Sequence, residues 1–492
     1  MNIKQAKEQV RKTCIAYLTK DEYGAYAMPV ETQRPIFLLG APGIGKTAIM
    51  EQVASELGLG LVDYSMTHHT RQSAIGLPFI TKKEYGGRET DVSEYTMSEI
   101  IASVYECIER TGKPEGILFL DEINCVSETL NPMMLRFLQS KMLGNHRVPD
   151  GWIVVSAGNP LEYNKSARQF DVVTLDRVKL IEVEPDLGAW REYSSATGAH
   201  PAVMSFLDMR PDSFYHMETT GRSRSFVTAR AWTDLSNMMR LYERNSLEVD
   251  DELVGQYIQA PSIAEDFCTY LRLFASYSQD YRIDDILAGA ADEALVAKAT
   301  AASFDERAAL SGLLVDALAA HTEPAVCEQR QLEALRDALV GAKGADDAEG
   351  YLASAADAID AELEANAAHY RNDALGRSVK TGVAQTLRSW ASELSLEAAG
   401  LRDLAQGYNQ RLTAHKENCA TLSGEVEAAI SFIDAAWGSG NEMTLALNEM
   451  SLNRNLSSFI ATNDCAAYFE KSDTLMLDAR AQRLTERLAE LM

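Results

Sequence analysis

The chain has 492 residues, 46% hydrophobic and 24% charged, which excludes wholesale disorder and leaves room for two or three domains. Lys and Arg number 46 against 72 Asp and Glu, a net charge of −26. So acidic a surface repels phosphate backbones and anionic bilayers, and no dense Lys/Arg run offers an exception, so nucleic acid and membrane are not expected partners.

Residues 1–30 read as an N-terminal helical segment, charged and without an apolar stretch of signal-peptide length. No segment is long and apolar enough to span a bilayer. The seven cysteines (Cys14, Cys107, Cys125, Cys268, Cys327, Cys419, Cys465) are scattered and form no CxxC pair. Neither a zinc site nor a disulfide framework is indicated, and the reduced thiols of a cytoplasmic protein are expected. His68 and His69 are adjacent, and adjacent residues point apart on a strand, which argues against a metal pair.

Up to about Pro185, short β-branched runs alternate with amphipathic stretches, the pattern of an α/β layer fold. Ile36-Phe37-Leu38-Leu39, Ile117-Leu118-Phe119-Leu120 and Trp152-Ile153-Val154-Val155 are continuously apolar, as strands covered on both faces are. Leu61 to Tyr64 is a shorter fourth strand, and Val178 to Val183 alternates, as at a sheet edge.

Directly after the first strand comes Gly40-Ala41-Pro42-Gly43-Ile44-Gly45-Lys46-Thr47, which fits GxxxxGK[ST] between a buried strand and a helix running to about Leu57. Its glycines let backbone N–H groups wrap an anion, and the helix start turns its positive end toward it. Lys46 can reach the β- and γ-phosphates and Thr47 can place a hydroxyl on Mg2+. The residues expected to hold ATP are Gly40, Pro42, Gly43, Ile44, Gly45, Lys46, Thr47 and Ala48. The competing reading is a chance match in a glycine-rich turn, which four fixed positions in this context rarely produce.

Residues 76–88 read as a hairpin turned by Tyr85-Gly86-Gly87. The strand ending in Leu120 runs into Asp121-Glu122, and sites form at the carboxyl ends of such strands. Asp121 is thereby expected beside the phosphate loop as a second Mg2+ holder, and Glu122 is placed to orient or deprotonate water. The plainer alternative is that the two acids open the next helix.

Residues 186–289 look helical with Pro and Ser breaks, and residues 290–492 are Ala-, Leu- and Glu-rich with almost no strand signal. Val383, Leu387, Trp390, Leu394, Ala398, Leu401, Ala405, Tyr408 and Leu412 step by three or four, predicting one long helix that packs in a bundle rather than projecting as an arm. Leu477, Leu484, Leu488 and Leu491 mark a final helix. Gly341, Gly344 and Gly350 are expected to separate helices, as is Gly438-Ser439-Gly440-Asn441, and no fixed-period repeat is present.

Together these residues resemble an AAA+ ATPase, and more narrowly the MoxR family, over roughly residues 30–280. "GAPGIGKT" and "LFLDEIN", with Asn124 after the acidic pair, carry the resemblance. "SAGNP" places Asn159 at sensor 1, beside Asp121, where its amide can hold water or the γ-phosphate. The competing reading there is an ordinary Asn-Pro turn. "TLDRVKLIEVEPD" puts Arg177 at the arginine finger that acts on a neighbouring subunit, with Val178 for the usual aromatic and Arg168 in reserve. The alternative for Arg177 is a surface ion pair with Asp176 or Glu182. "TARAW" puts Arg230 at sensor 2, with Ala229 in place of the usual proline and with Arg222 and Arg224 as alternatives.

The resemblance implies an α/β fold: a parallel-sheet nucleotide-binding domain over 31–185 with a hairpin insert near 76–92, a helical lid over 186–289, and an additional all-α region over 290–492 that could bind a partner. It implies Mg2+-dependent ATP hydrolysis in a homo-oligomeric, hexameric ring that remodels a protein client, with a von Willebrand factor A domain protein as a family-type partner. In that family the hairpin insert faces the central pore, which would bring Phe79, Ile80 and Tyr85 near a substrate; a hairpin packed on the sheet is the equal alternative. A nucleic-acid motor or loader, and a scaffold switched by ATP without turnover, are the other readings of the same core.

Overall fold

The computed structural model describes all residues except 68–73, 165, 221–222, 367–372, 397–399 and 476–492. His68, His69, Arg222, Ala398, Leu477, Leu484, Leu488 and Leu491 therefore lie outside the described residues, as does the side chain of Arg224. The chain divides into two compact units, Met1–Trp190 with Thr228–Ala231, and Arg191–Val227 with Trp232–Met492.

The first unit runs through α1 (Ile3–Leu18), β1 (Ile36–Gly40), α2 (Lys46–Glu56), β2 (Gly60–Ser65), β3 (Pro78–Tyr85), β4 (Arg88–Tyr95), α3 (Glu99–Thr111) and β5 (Gly116–Asp121). It continues with α4 (Asn131–Ser140), the short β6 (Met142–Leu143) and β7 (His146–Arg147), β8 (Trp152–Gly158), α5 (Val172–Leu175) and β9 (Lys179–Val183). Five strands form one sheet in the order β2-β5-β8-β1-β9, every pairing parallel. The continuously apolar runs fill its middle: every residue of β8 is buried, and so are Ile117 to Leu120 of β5. β9 is an edge strand, and its alternating burial matches its alternating sequence. On one face, Val62, Ile100, Val104, Leu118, Phe137 and Val154 belong to a common apolar core.

The order β5-β8-β1 makes the carboxyl ends of these three strands neighbours, Leu39 standing opposite Gly158 and Leu120 opposite Ser156. That brings the phosphate loop, the acidic pair and Asn159 to one edge of the sheet. Among the described residues β3 and β4 pair only with each other, closed by Gly86 (φ 58) and Gly87 (φ 78) in the turn their sequence calls for. The hairpin leaves Phe79, Ile80 and Tyr85 exposed rather than packed on the sheet.

The second unit is entered within α6 (Leu187–Ala196) and continues with α7 (Pro201–Met209), β10 (His216–Thr220), β11 (Ser223–Val227), α8 (Ala229–Arg244), α9 (Asp251–Tyr257), α10 (Pro261–Tyr281), α11 (Ile283–Leu287) and α12 (Glu293–Ala301). Then come α13 (Phe304–Gly344), α14 (Ala348–Ala365), α15 (Ala374–Ser395), α16 (Leu401–Trp437), α17 (Asn441–Leu452) and α18 (Arg454–Thr462). The reading of residues 186–289 as helical with Pro and Ser breaks is corrected by β10 and β11, an antiparallel pair with Met217 opposite Phe226. Thr, Phe and Val in these short runs suit a pleated ribbon better than a helix face.

Two apolar cores hold the long helices. One gathers Leu310, Leu314 and Leu318 of α13, Val426, Ile430 and Ile433 of α16, Met443 and Met450 of α17, and Phe459 of α18. The other gathers Leu335 of α13, Leu352 of α14, Val383 and Leu387 of α15, and Leu404 of α16. The stripe from Val383 to Leu412 thus packs inside a bundle, but on two helices: α15 ends at Ser395 and α16 restarts after Gly400. Asp403 closes that restart by accepting from the Gly400 N–H at 2.8 Å. Gly344 ends α13 and Gly438 ends α16 as expected, whereas Gly341 and Gly350 lie inside helices. At Gly341 a side chain would collide with Tyr351, so this glycine makes room for a ring instead of breaking a helix. Among the described residues no helix is long and apolar enough to cross a membrane.

Candidate functional site

The loop between β1 and α2 turns through two glycines whose backbones no side chain favours, Gly43 at φ 71 and Gly45 at φ 94. A Cβ on Gly43 would also stand 2.7 Å from the Thr228 hydroxyl, so the short segment Thr228–Ala231 closes on the loop at that point. The Arg230 N–H donates to the Gly43 carbonyl at 3.0 Å.

Lys46 is buried, with 8% of its surface exposed. Its ammonium donates to the Gly40 and Ala41 carbonyls at 2.8 Å each and to Asn159 Oδ1 at 3.0 Å. Burial pulls its pKa down to about 8; the Asp121 and Glu122 carboxylates pull the other way, and the Arg230 charge adds to the fall. All three hydrogen-bond partners are neutral, and no ion pair to Lys46 exists among the described residues. An anion entering the loop would therefore meet an amine whose charge no neighbouring side chain has already claimed by contact.

The acidic pair leaves β5 through a tight bend. Glu122 takes a left-handed backbone (φ 55, ψ 34), uncommon for a residue with a Cβ. Its N–H donates to Asp121 Oδ1 at 2.8 Å, which leaves Asp121 Oδ2 facing the Thr47 hydroxyl at 3.3 Å. The bend leads into the single 3-10 turn Ile123–Cys125, which Glu122 precedes as the N-cap residue without a side-chain cap, so the two acids do stand at a helical turn, but neither carboxylate is spent on capping it. The Glu122 carboxylate is half-buried and makes no hydrogen bond or ion pair among the described residues.

Thr47, Asp121, Asn159 and Lys46 thus converge, as the sequence predicts. Gly40, Pro42, Gly43, Ile44, Gly45 and Ala48 form the loop and the first turn around them. Arg230 adjoins the same place through the Gly43 contact, with an exposed side chain. Arg177 is exposed just after α5, makes no ion pair with Asp176 or Glu182, and makes no side-chain hydrogen bond or ion pair to the loop. The reserve candidate Arg168 is tied to Glu128 at 2.9 Å. Beside Arg177, Val172 and Val173 leave 81% and 58% of their surfaces in solvent.

One residue at this site had no role assigned from sequence. Asn124 is 3% exposed, and its amide donates to the Asn159 carbonyl at 2.8 Å while its Oδ1 accepts from the Asn159 N–H at 3.3 Å. The only hint in the sequence was its place two residues beyond the acidic pair.

No curated protein matches the chain. Residues 36–169, from β1 through the loop after β8, match the model of the ATPase family associated with various cellular activities (AAA), a similarity that spans β1, β2, β5 and β8 of the parallel sheet.

Proposed function

We propose that this chain hydrolyses ATP at the loop formed by residues 40–48, as a ring-forming ATPase of MoxR type that remodels a protein client. The observation that carries the reading is the Lys46 ammonium, buried among neutral acceptors and flanked by the Thr47–Asp121 pair. Gly43 and Gly45 give the backbone a concave course that suits the phosphates, and α2 adds the positive end of its dipole.

The Thr47 hydroxyl and Asp121 Oδ2 stand 3.3 Å apart, a pairing that fits Mg2+ held directly by one and through water by the other. When bound there, Mg2+ offsets charge on the terminal phosphates. Glu122, with an unpartnered carboxylate in a strained backbone, is the group that would take a proton from the attacking water. Asn159 gives its Oδ1 to Lys46, so its Nδ2, without an acceptor among the described residues, is free to donate to that water or to a phosphate oxygen.

The ring and the client follow from the resemblance in "LFLDEIN", "SAGNP" and "TLDRVK". Arg177 supports the ring: a guanidinium free of Asp176 and Glu182 on an exposed turn suits action on a neighbouring subunit's phosphate. Arg230 would follow the nucleotide from the start of α8. The exposed hairpin residues Phe79, Ile80 and Tyr85 suit contact with a client, and a von Willebrand factor A domain protein is the partner type the family suggests.

Glu122→Gln is the decisive test. It keeps the shape of the side chain and removes the base, so ATP binding should persist while phosphate release falls by about 10²–10⁴. Release at the wild-type rate overturns the assignment of Glu122.

A further inference from the structure

β5 and β8 are hydrogen-bonded to each other only as far as Leu120 opposite Ser156. Glu122 and Asn159 both lie beyond that point, each on its own loop, so the sheet does not fix one relative to the other. Asn124 does. Its side chain pairs with both backbone groups of Asn159, donating to the carbonyl and accepting from the N–H, much as a neighbouring strand would. Its amide also faces the Arg168 carbonyl at 3.4 Å, and its own carbonyl accepts from the Arg168 N–H at 2.8 Å. The close approach is built in at Gly158, where a Cβ would stand 2.6 Å from Asn124 Oδ1.

We propose that Asn124 is a positioning residue for ATP hydrolysis, which holds the Asn159 amide at a fixed place relative to Glu122. The inference rests on the ATPase reading above and adds a residue to it. A short carboxamide supplies a donor and an acceptor on two atoms of one planar group, as the paired N–H and C=O of Asn159 require: an aspartate lacks the donor and a leucine lacks both. Asn159 is then held at three atoms, its N and O by Asn124 and its Oδ1 by Lys46, leaving Nδ2 as its one mobile donor. Two residues upstream of Asn124, the bend at Glu122 belongs to the same short segment, so loosening Asn124 shifts the base and the amide relative to one another. A misplacement of about 1 Å in a hydrolytic constellation costs up to roughly 100-fold in rate.

The test is steady-state phosphate release and ATP affinity for Asn124→Ala, Asn159→Ala and the double variant, each checked by thermal unfolding. Asn124→Ala is expected to lower kcat by about 10- to 100-fold with the ATP dissociation constant within about threefold of wild type. Because Asn124 acts through Asn159, the double variant should turn over no more slowly than Asn159→Ala alone. Unchanged kcat in Asn124→Ala overturns the proposal. So do losses that multiply in the double variant, or a fall in kcat that comes with an equal loss of affinity and of thermal stability, since that is the mark of a merely structural buried amide. If Asn124→Ala does not fold, Gly158→Ala displaces Asn124 from outside and must lower kcat in the same way; wild-type kcat in that variant overturns the proposal. A wild-type chain that releases no phosphate from ATP overturns the ATPase reading itself and this proposal with it, whereas wild-type turnover with an indifferent Asn124→Ala overturns only the latter.

Discussion

In the N-terminal unit the buried ammonium of Lys46 meets two backbone carbonyls and one carboxamide. In the helical unit the guanidinium of Arg191 meets two carboxylates, Asp208 at 2.9 Å and Glu449 at 3.0 Å. Both are cations taken largely out of water, and they do opposite things. Arg191 is over-neutralised by the chain's own acids and joins α6, α7 and α17 within one unit. Lys46 is left with dipoles, so its charge stays available to a ligand. Burial of a charge does not by itself mark a site: Lys141 is buried too, on the Val30 carbonyl at 2.7 Å, and what sets Lys46 apart is that its uncompensated charge lies with Thr47, Asp121 and Asn159 at the phosphate loop.

The largest expected effect tests that distinction directly. Lys46→Ala removes the uncompensated charge and should weaken ATP binding by about 100-fold or more, since hydrogen bonds to a charged group contribute about 1.5–3 kcal/mol each. Calorimetric titration checks it, and binding at wild-type strength would erase the contrast between the two units.

How much of each unit could be read from the sequence follows from how local its signals are. The phosphate loop was legible because eight consecutive residues carry it, and Asp121 and Glu122 because a buried strand delivers them to the sheet's carboxyl edge. The edge position of β9 and the Gly86-Gly87 turn were legible for the same reason. Asn124 was not, because its partners Asn159 and Arg168 lie far along the chain and only the parallel pairing of β5 with β8 brings them close. In the helical unit the apolar spacing hid a break. Leu394 and Leu401 stand two turns apart in sequence, so the stripe keeps its phase across the gap between α15 and α16. Periodicity reports which residues share a core, and it is blind to a turn whose length preserves the phase.

Next in size is a change confined to packing. Leu387 is 1% exposed in the core shared by α13, α14, α15 and α16. Leu387→Ala should destabilise that core by about 2–5 kcal/mol, through lost transfer energy and a cavity. Thermal unfolding followed by far-UV circular dichroism reads the loss. ATP turnover below the transition should match wild type, because no residue placed around Lys46 contributes to this core; a fall in turnover at full helicity would show that the two units do not divide chemistry and packing as described.

The smallest effect concerns the two acids on Arg191. Burial lifts the Glu449 pKa to about 7 and that of Asp208 to about 6, against the pull of Arg191, and for Glu449 the nearby Asp208 carboxylate adds to the rise. Both folded values lie above the roughly 4 of an unfolded carboxyl, so between about pH 4 and 7 the folded unit binds more protons than the unfolded chain. Stability from this cluster therefore falls as pH rises through that window and is lowest above it, where both acids must be ionised beside a single guanidinium. Glu449→Gln removes the titration while keeping the shape. Between pH 5 and 8 the variant should lose less stability than the wild type, by about 1–3 kcal/mol. Unfolding midpoints of the two proteins across that range decide it. Parallel curves would mean that Glu449 is ionised throughout, and that the helical unit carries its buried charge without the strain that the shared guanidinium implies.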